Sequence, residues 1–213
     1  MNYFGHALVA SWRAAPAATV LGAMLPDFSS MCRARLAPAQ EAEVDTGLAL
    51  HHATDAAFHD LPAVLGLMHE LGARLERLGC ARGPRRAVAH VGIELLLDGV
   101  LLDDAAGRAS YLAGLATDAP VAWQPDGAPR FAMLRARLRT YGVPEDLRDP
   151  GAITERLARV LGGRPLLAPS PADLRAIRTA LADQQPRVEV AADTVLRGVR
   201  ARLTADATAS RPE

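Results

Sequence analysis

The chain has 213 residues, half of them hydrophobic and only 4% aromatic, with 24 basic and 24 acidic residues and a formal net charge of zero. That length suffices for one domain with a sizeable core, the apolar share argues against disorder, and the charge balance argues against a general nucleic-acid binder. Every basic residue is an arginine, which excludes lysine Schiff-base and lysine-nucleophile chemistry.

Ala, Leu and Arg dominate, and strand-forming residues are scarce. An all-α, single-domain helical bundle over residues 1–205 is therefore expected, with a flexible C-terminal tail over 206–213. In chain order, residues 2–13 read as a short helix with Asn2 as N-cap. Pro16 suits the first turn of a second helix that ends near Leu25-Pro26-Asp27, and a polar loop follows to about Val44. Helices are expected over 45–60 and 62–79, and from Pro84 to about Asp103. Another is expected over 105–116, followed by a proline-rich loop over 117–129. Further helices are expected over 130–141, 151–161, 170–184 and 187–205.

The most apolar run, residues 91–102, is interrupted by Glu94 and Asp98 and is too short and too charged to span a bilayer. The N-terminus lacks a basic region before an apolar run, which makes it a poor signal peptide. Cys32 and Cys80 have no CxxC spacing, and they point to a reducing, cytoplasmic setting without a disulfide framework. Both also suit small buried hydrophobes as well as they suit nucleophiles. No phosphate-loop, dinucleotide or serine-hydrolase motif is present.

Three of the six histidines lie in His51-His52-Ala-Thr-Asp55-Ala-Ala-Phe-His59. On a helix, residues four apart share a face, so His51, Asp55 and His59 form one polar stripe. The segment His90-Val-Gly-Ile-Glu94-Leu-Leu-Leu-Asp98 repeats the spacing among apolar neighbours. Carboxylates buried there without partners would be costly. Two stripes facing one pocket could satisfy each other around a divalent cation, with Asp27 and His6 closing the shell. Imidazole and carboxylate together suit Mn²⁺, Fe²⁺, Zn²⁺ or Mg²⁺, and added histidine favours the transition metals. Taken alone, the His51 stripe equally describes a solvated helix face, the His90 stripe fits that description less well because its neighbours are apolar, and His90 itself also suits a core histidine bonded to a backbone carbonyl. His69, beside Glu70, reads as a surface residue.

Four blocks then resemble the acyl carrier protein phosphodiesterase family. They are Met1-Asn2-Tyr3-Phe4-Gly5-His6, Gly22-Ala-Met-Leu-Pro-Asp27-Phe28, Gly47-Leu-Ala-Leu-His51-His52-Ala-Thr-Asp55, and residues 86–98. The resemblance covers roughly residues 1–105 and implies a helical fold distantly similar to HD-domain metal phosphohydrolases. It implies a metal-dependent phosphodiesterase that removes the 4′-phosphopantetheine arm from holo-acyl carrier protein, with Mn²⁺ as the foremost cofactor. His6, Asp27, His51, Asp55 and Asp98 lie in the matching blocks, and Glu94 stands at an acidic position of the family. The departures are His52 for an arginine, Phe58-His59 for a Thr-Asp pair, Gly99 for a histidine, and a histidine at position 90.

The expected metal ligands are thus His6, Asp27, His51, Asp55, His59, His90, Glu94 and Asp98. His52, Asp55 and Asp98 are the expected catalytic residues, with His52 placed to protonate the leaving serine oxygen. An acidic carrier protein as partner would call for positive charge, which Arg74, Arg77, Arg82, Arg85 and Arg86, and then Arg130, Arg135, Arg137 and Arg139, could supply. Hydrolysis of another small phosphorylated substrate, or a binding role without catalysis, are the competing readings.

Overall fold

The computed structural model describes residues 1–209, and these are all-α, as the composition predicts. Its helices are α1 (Tyr3–Ser11), α2 (Ala17–Cys32), α3 (Ala42–His59), α4 (Pro62–Arg77), α5 (Arg82–Leu101), α6 (Ala105–Ala116), α7 (Gly127–Tyr141), α8 (Pro150–Gly162) and α9 (Pro171–Ala209). A short 3-10 turn, Glu145–Arg148, precedes α8. Among the described residues there is no strand beyond one antiparallel bridge between Leu36 and Trp123.

Two of the boundaries that differ from the sequence reading by more than three residues lie at a proline. Helix α2 does not stop at Pro26 but continues to Cys32, so Asp27 is a helical residue rather than the start of a loop. The expected helices 170–184 and 187–205 are one helix, α9, which passes through Pro186. A helical proline removes one hydrogen bond and crowds the preceding turn. Pro186 is exposed, while Ile177, Ala180, Gln184, Val188, Ala192, Val195, Val199 and Leu203 form an unbroken buried stripe on either side of it. Burial along that stripe outweighs the local defect. Helix α9 also extends past residue 206, and the rest of the expected tail, 210–213, lies outside the described residues.

Aspartate caps fix several helix starts. Asp104 Oδ1 accepts the Gly107 N–H (2.7 Å) at α6, and Asp149 accepts from Gly151 and Ala152 (2.9 and 3.2 Å) at α8. At α9, Asp173 Oδ2 accepts the Ser170 N–H (2.8 Å) while Ser170 Oγ accepts the Asp173 N–H (3.1 Å), a reciprocal capping box.

The chain forms two compact units. One comprises Met1–Asp55 and Leu101–Pro144, and the other Ala56–Val100 and the residues from Glu145 onward. In the first unit α1 packs on α2 and α6, and α2 also meets α6 and α7. Its core contains an aromatic cluster: Tyr3 lies 5.5 Å from Phe28 and 5.9 Å from Tyr111 between ring centroids, and Phe28 lies 6.3 Å from Phe131. In the second unit α9 packs on α4 and α8, over an aliphatic set that includes Val64, Leu71, Leu75, Ile153, Leu157 and Leu181. Every Trp and Tyr of the chain, and every Phe except Phe58, falls in the first unit.

Candidate functional site

In the first unit, His6 of α1, Asp27 of α2, and His51 and Asp55 of α3 come together. His6, Asp27 and His51 each offer a donor atom within 4.8 Å of the others. The sequence sets this up through two glycines. A Cβ on Gly47 would collide with the Thr19 carbonyl and the Gly22 backbone, and one on Gly22 would collide with the Val44 carbonyl. Backbones of α2 and α3 therefore touch at this crossing, which only glycine permits. One turn after Gly47, His51 is carried to the backbone of α2, where its Nδ1–H donates to the Ala23 carbonyl (2.8 Å).

That bond fixes the ring and its tautomer, and it leaves Nε2 directed at Asp55 Oδ2 (3.3 Å). Asp55 Oδ1 lies 3.2 Å from His6 Nε2 and 2.9 Å from the Met1 amino nitrogen. His6 Nε2 also lies 3.0 Å from the Met1 carbonyl oxygen and 4.0 Å from Asp27 Oδ2. The rings of His6 and His51 stack at 3.9 Å.

Burial dominates the electrostatics of His6, which is 1% exposed: desolvation outweighs the Asp55 hydrogen bond and pushes its pKa down to about 4. His6 is therefore neutral at pH 7. Both neighbours of its Nε2 are acceptors, so Nε2 carries the hydrogen and Nδ1 keeps its lone pair. That buried Nδ1 has no hydrogen-bond partner among the described residues. For His51, burial acts downward, but the Asp55 hydrogen bond and the charges of Asp27 and Asp55 more than reverse it, and its pKa is raised. Asp55 is half-buried. Burial would raise its pKa, but hydrogen bonds from His51 and His6 and the nearby amino group hold it far below the usual carboxylate range. The arrangement is thus a fixed carboxylate with two imidazoles, one of them neutral with an unsatisfied buried nitrogen. Such a donor set fits a divalent cation, because an unpaired buried nitrogen is costly unless something accepts its lone pair.

His59, His90 and Glu94 form a second group, wholly within the second unit, with donor atoms again within 4.8 Å of one another. Of the eight expected ligands, His6, Asp27, His51 and Asp55 gather in the first unit, and His59, His90 and Glu94 in the second. Asp98 belongs to neither group; it is fully buried on α5. The His90–Glu94–Asp98 stripe runs from half-exposed through nearly buried to fully buried. His52 is exposed and stands edge-on to His51 at 5.4 Å. His69 is exposed, as expected. Gly99 lies where a Cβ would collide with the Leu147 carbonyl, so the histidine of the family pattern has no room here.

Parts of the expected basic faces are already engaged. Arg74 pairs with Asp183 (2.6 Å), Arg85 with Glu76, and Arg135 Nε donates to the Leu115 carbonyl (2.8 Å). Arg82, Arg86, Arg137 and Arg139 are exposed. Cys80 is buried, and burial together with Asp173 pushes its thiol up to about 12, which removes it as a nucleophile. Among the described residues, no helix is long and apolar enough to cross a membrane.

Sequence reasoning did not foresee the Ala23 carbonyl or the Gly22–Gly47 crossing. The available signal was Gly47 standing four residues before His51, one turn away on the same face.

No protein-family model matches the chain, and neither a curated protein nor a solved structure matches it.

Proposed function

We propose that the chain is a metal-dependent phosphodiester hydrolase whose centre is His6, Asp27, His51 and Asp55. The observation that carries the reading is His51, locked by the Ala23 carbonyl with Nε2 turned toward Asp55, beside a buried His6 whose Nδ1 is unsatisfied. His6, Asp27 and His51 would hold the cation, with Asp55 balancing its charge. When bound, a divalent cation neutralises charge at phosphorus and activates a water at neutral pH.

The chain's own residues do the rest. The Ala23 carbonyl keeps His51 in one tautomer, so no reorientation is needed when a phosphate enters. Asp55 stays ionised across the physiological range, and neutral His6 adds no competing positive charge. As the water oxygen bonds to phosphorus and releases its proton to solvent, the P–O bond to serine breaks and the leaving serine oxygen takes up a proton. His52, exposed beside His51, is the group proposed to give it.

The proposed substrate is holo-acyl carrier protein, on the resemblance of residues 1–105, and the fold would then be HD-like. Exposed Arg82, Arg86, Arg137 and Arg139 offer positive charge to an acidic carrier. One observation favours a second reading, hydrolysis of a smaller phosphorylated substrate: the Leu147 carbonyl closes position 99 to the family histidine. Mass spectrometry of holo-acyl carrier protein incubated with the protein and Mn²⁺ tests both. Loss of the phosphopantetheine mass supports the first reading. An unchanged carrier with turnover of a generic aryl phosphodiester supports the second, and no turnover of either rejects the hydrolase reading.

A further inference from the structure

His59, His90 and Glu94 share a geometry that the hydrolase reading does not use. His59 closes α3, and His90 and Glu94 sit one turn apart on α5. Both imidazoles aim Nε2 at the same carboxylate oxygen: His90 Nε2 is 3.1 Å and His59 Nε2 is 3.4 Å from Glu94 Oε1. The ring centroids are 4.6 Å apart, with the planes tilted by 33°. In a tetrahedral zinc site with bonds of about 2.0–2.1 Å, neighbouring donor atoms stand about 3.3 Å apart. Two donor separations here already match that edge.

Exposure is graded in the order that ion entry requires. The Glu94 side chain is 12% exposed, that of His59 31% and that of His90 51%. The carboxylate forms the floor and the imidazoles the mouth, so water can fill the remaining coordination positions. The floor is rigid. On the far side of α5, Gly92 fits so closely that a Cβ would stand 3.1 Å from Leu181 and 3.3 Å from Leu71. Glu94 is also held below its ordinary pKa: burial would raise it, but the His90 hydrogen bond and the charges of His90 and His59 prevail.

We infer that His59, His90 and Glu94 form a second, solvent-accessible site for a zinc-class divalent ion in the second unit. Two nitrogens and one carboxylate are a three-ligand set typical of zinc sites that keep an open position. Mg²⁺ prefers an oxygen shell and retains its water, so it competes poorly here. The site draws on no residue of the proposed hydrolytic centre and does not depend on that reading.

Calorimetric titration of the chelator-stripped 213-residue chain with Zn²⁺ tests the site. His90→Ala removes a half-exposed side chain, and Glu94→Gln is isosteric, so circular dichroism should be unchanged for both. Each should weaken one class of Zn²⁺ binding at least tenfold, whereas His69→Ala should titrate as wild type. His51→Asn reports on the first unit separately and should leave this class intact. Co²⁺ added in place of Zn²⁺ should give visible d–d absorption that His90→Ala reduces. Identical titrations for wild type, His90→Ala and Glu94→Gln would overturn the proposal, as would equally effective displacement of Zn²⁺ by Mg²⁺.

Discussion

His6 and His51 stack on each other, yet their surroundings move their protonation in opposite directions, and stability should depend on pH accordingly. His51 has a raised pKa, so its contribution is fully present below the unfolded value of 6.5 and is lost as pH rises through the folded value. His6 has a lowered pKa, so its contribution is present above 6.5 and is lost as pH falls to about 4. The two windows meet without overlapping. Thermal melts in the presence of chelator should show greatest stability near pH 6.5. The acid limb should amount to about 3 kcal/mol by pH 4. His6→Gln should flatten that limb and leave the alkaline one, and an unchanged acid limb would show that His6 is not the titrating group. Of this cluster, His51 and Asp55 were legible as chemistry-bearing from their four-residue spacing, whereas His6 and Asp27 stand on other helices and have no such spacing. The partners were not legible. Spacing places His51, Asp55 and His59 on one face of α3, but it is silent on which neighbouring helix each one meets. The answer came from α1 and α2 for the first two and from α5 for the third.

The crossing of α2 and α3 is the element-scale feature on which the first site rests. Gly47→Ala should destabilise the protein by about 1–3 kcal/mol, because the new methyl meets backbone rather than a movable side chain. It should also weaken Mn²⁺ binding, since separating the helices draws His51 away from the Ala23 carbonyl. A urea midpoint that falls without any change in metal affinity would uncouple the crossing from the site. Pro186 makes the opposite case. Replacing it with alanine restores an N–H to the middle of α9 at an exposed position. A gain of about 1–3 kcal/mol is expected, read from the same denaturation curves. The helical content and most helix boundaries were legible from composition, prolines and polar spacing. The continuity of α9 was not, because a proline read locally marks a stop, while the buried stripe that overrides it is a tertiary effect spread over the whole helix. The run of α2 through Pro26 was hidden for the same reason: Phe28, two residues beyond, is fully buried.

At the scale of the whole molecule, the expected ligands fall into two donor groups, one in each unit. The division falls inside α3, between Asp55 and Ala56, where nothing in the local sequence marks a change. Ligand binding to the folded state alone should raise its stability. Mn²⁺ at about a hundred times its dissociation constant should add about 2.7 kcal/mol. Mg²⁺ at the same concentration should add much less, since imidazole nitrogens disfavour it. Differential scanning calorimetry of wild type and His51→Asn would check this. An equal shift from both ions, or a full shift in the variant, would mean that the first group does not take the metal.

The uneven placement of aromatic side chains also decides what each optical probe can see. Trp12 and Trp123 both belong to the first unit, so intrinsic tryptophan emission is a reporter for that unit alone. Far-ultraviolet dichroism, in contrast, registers helices of both. Recording the two signals on one sample turns the molecule into its own internal comparison. Superimposable curves would mean that the halves melt as a single cooperative block, and a gap between the curves would time the loss of one half against the other without any label being attached.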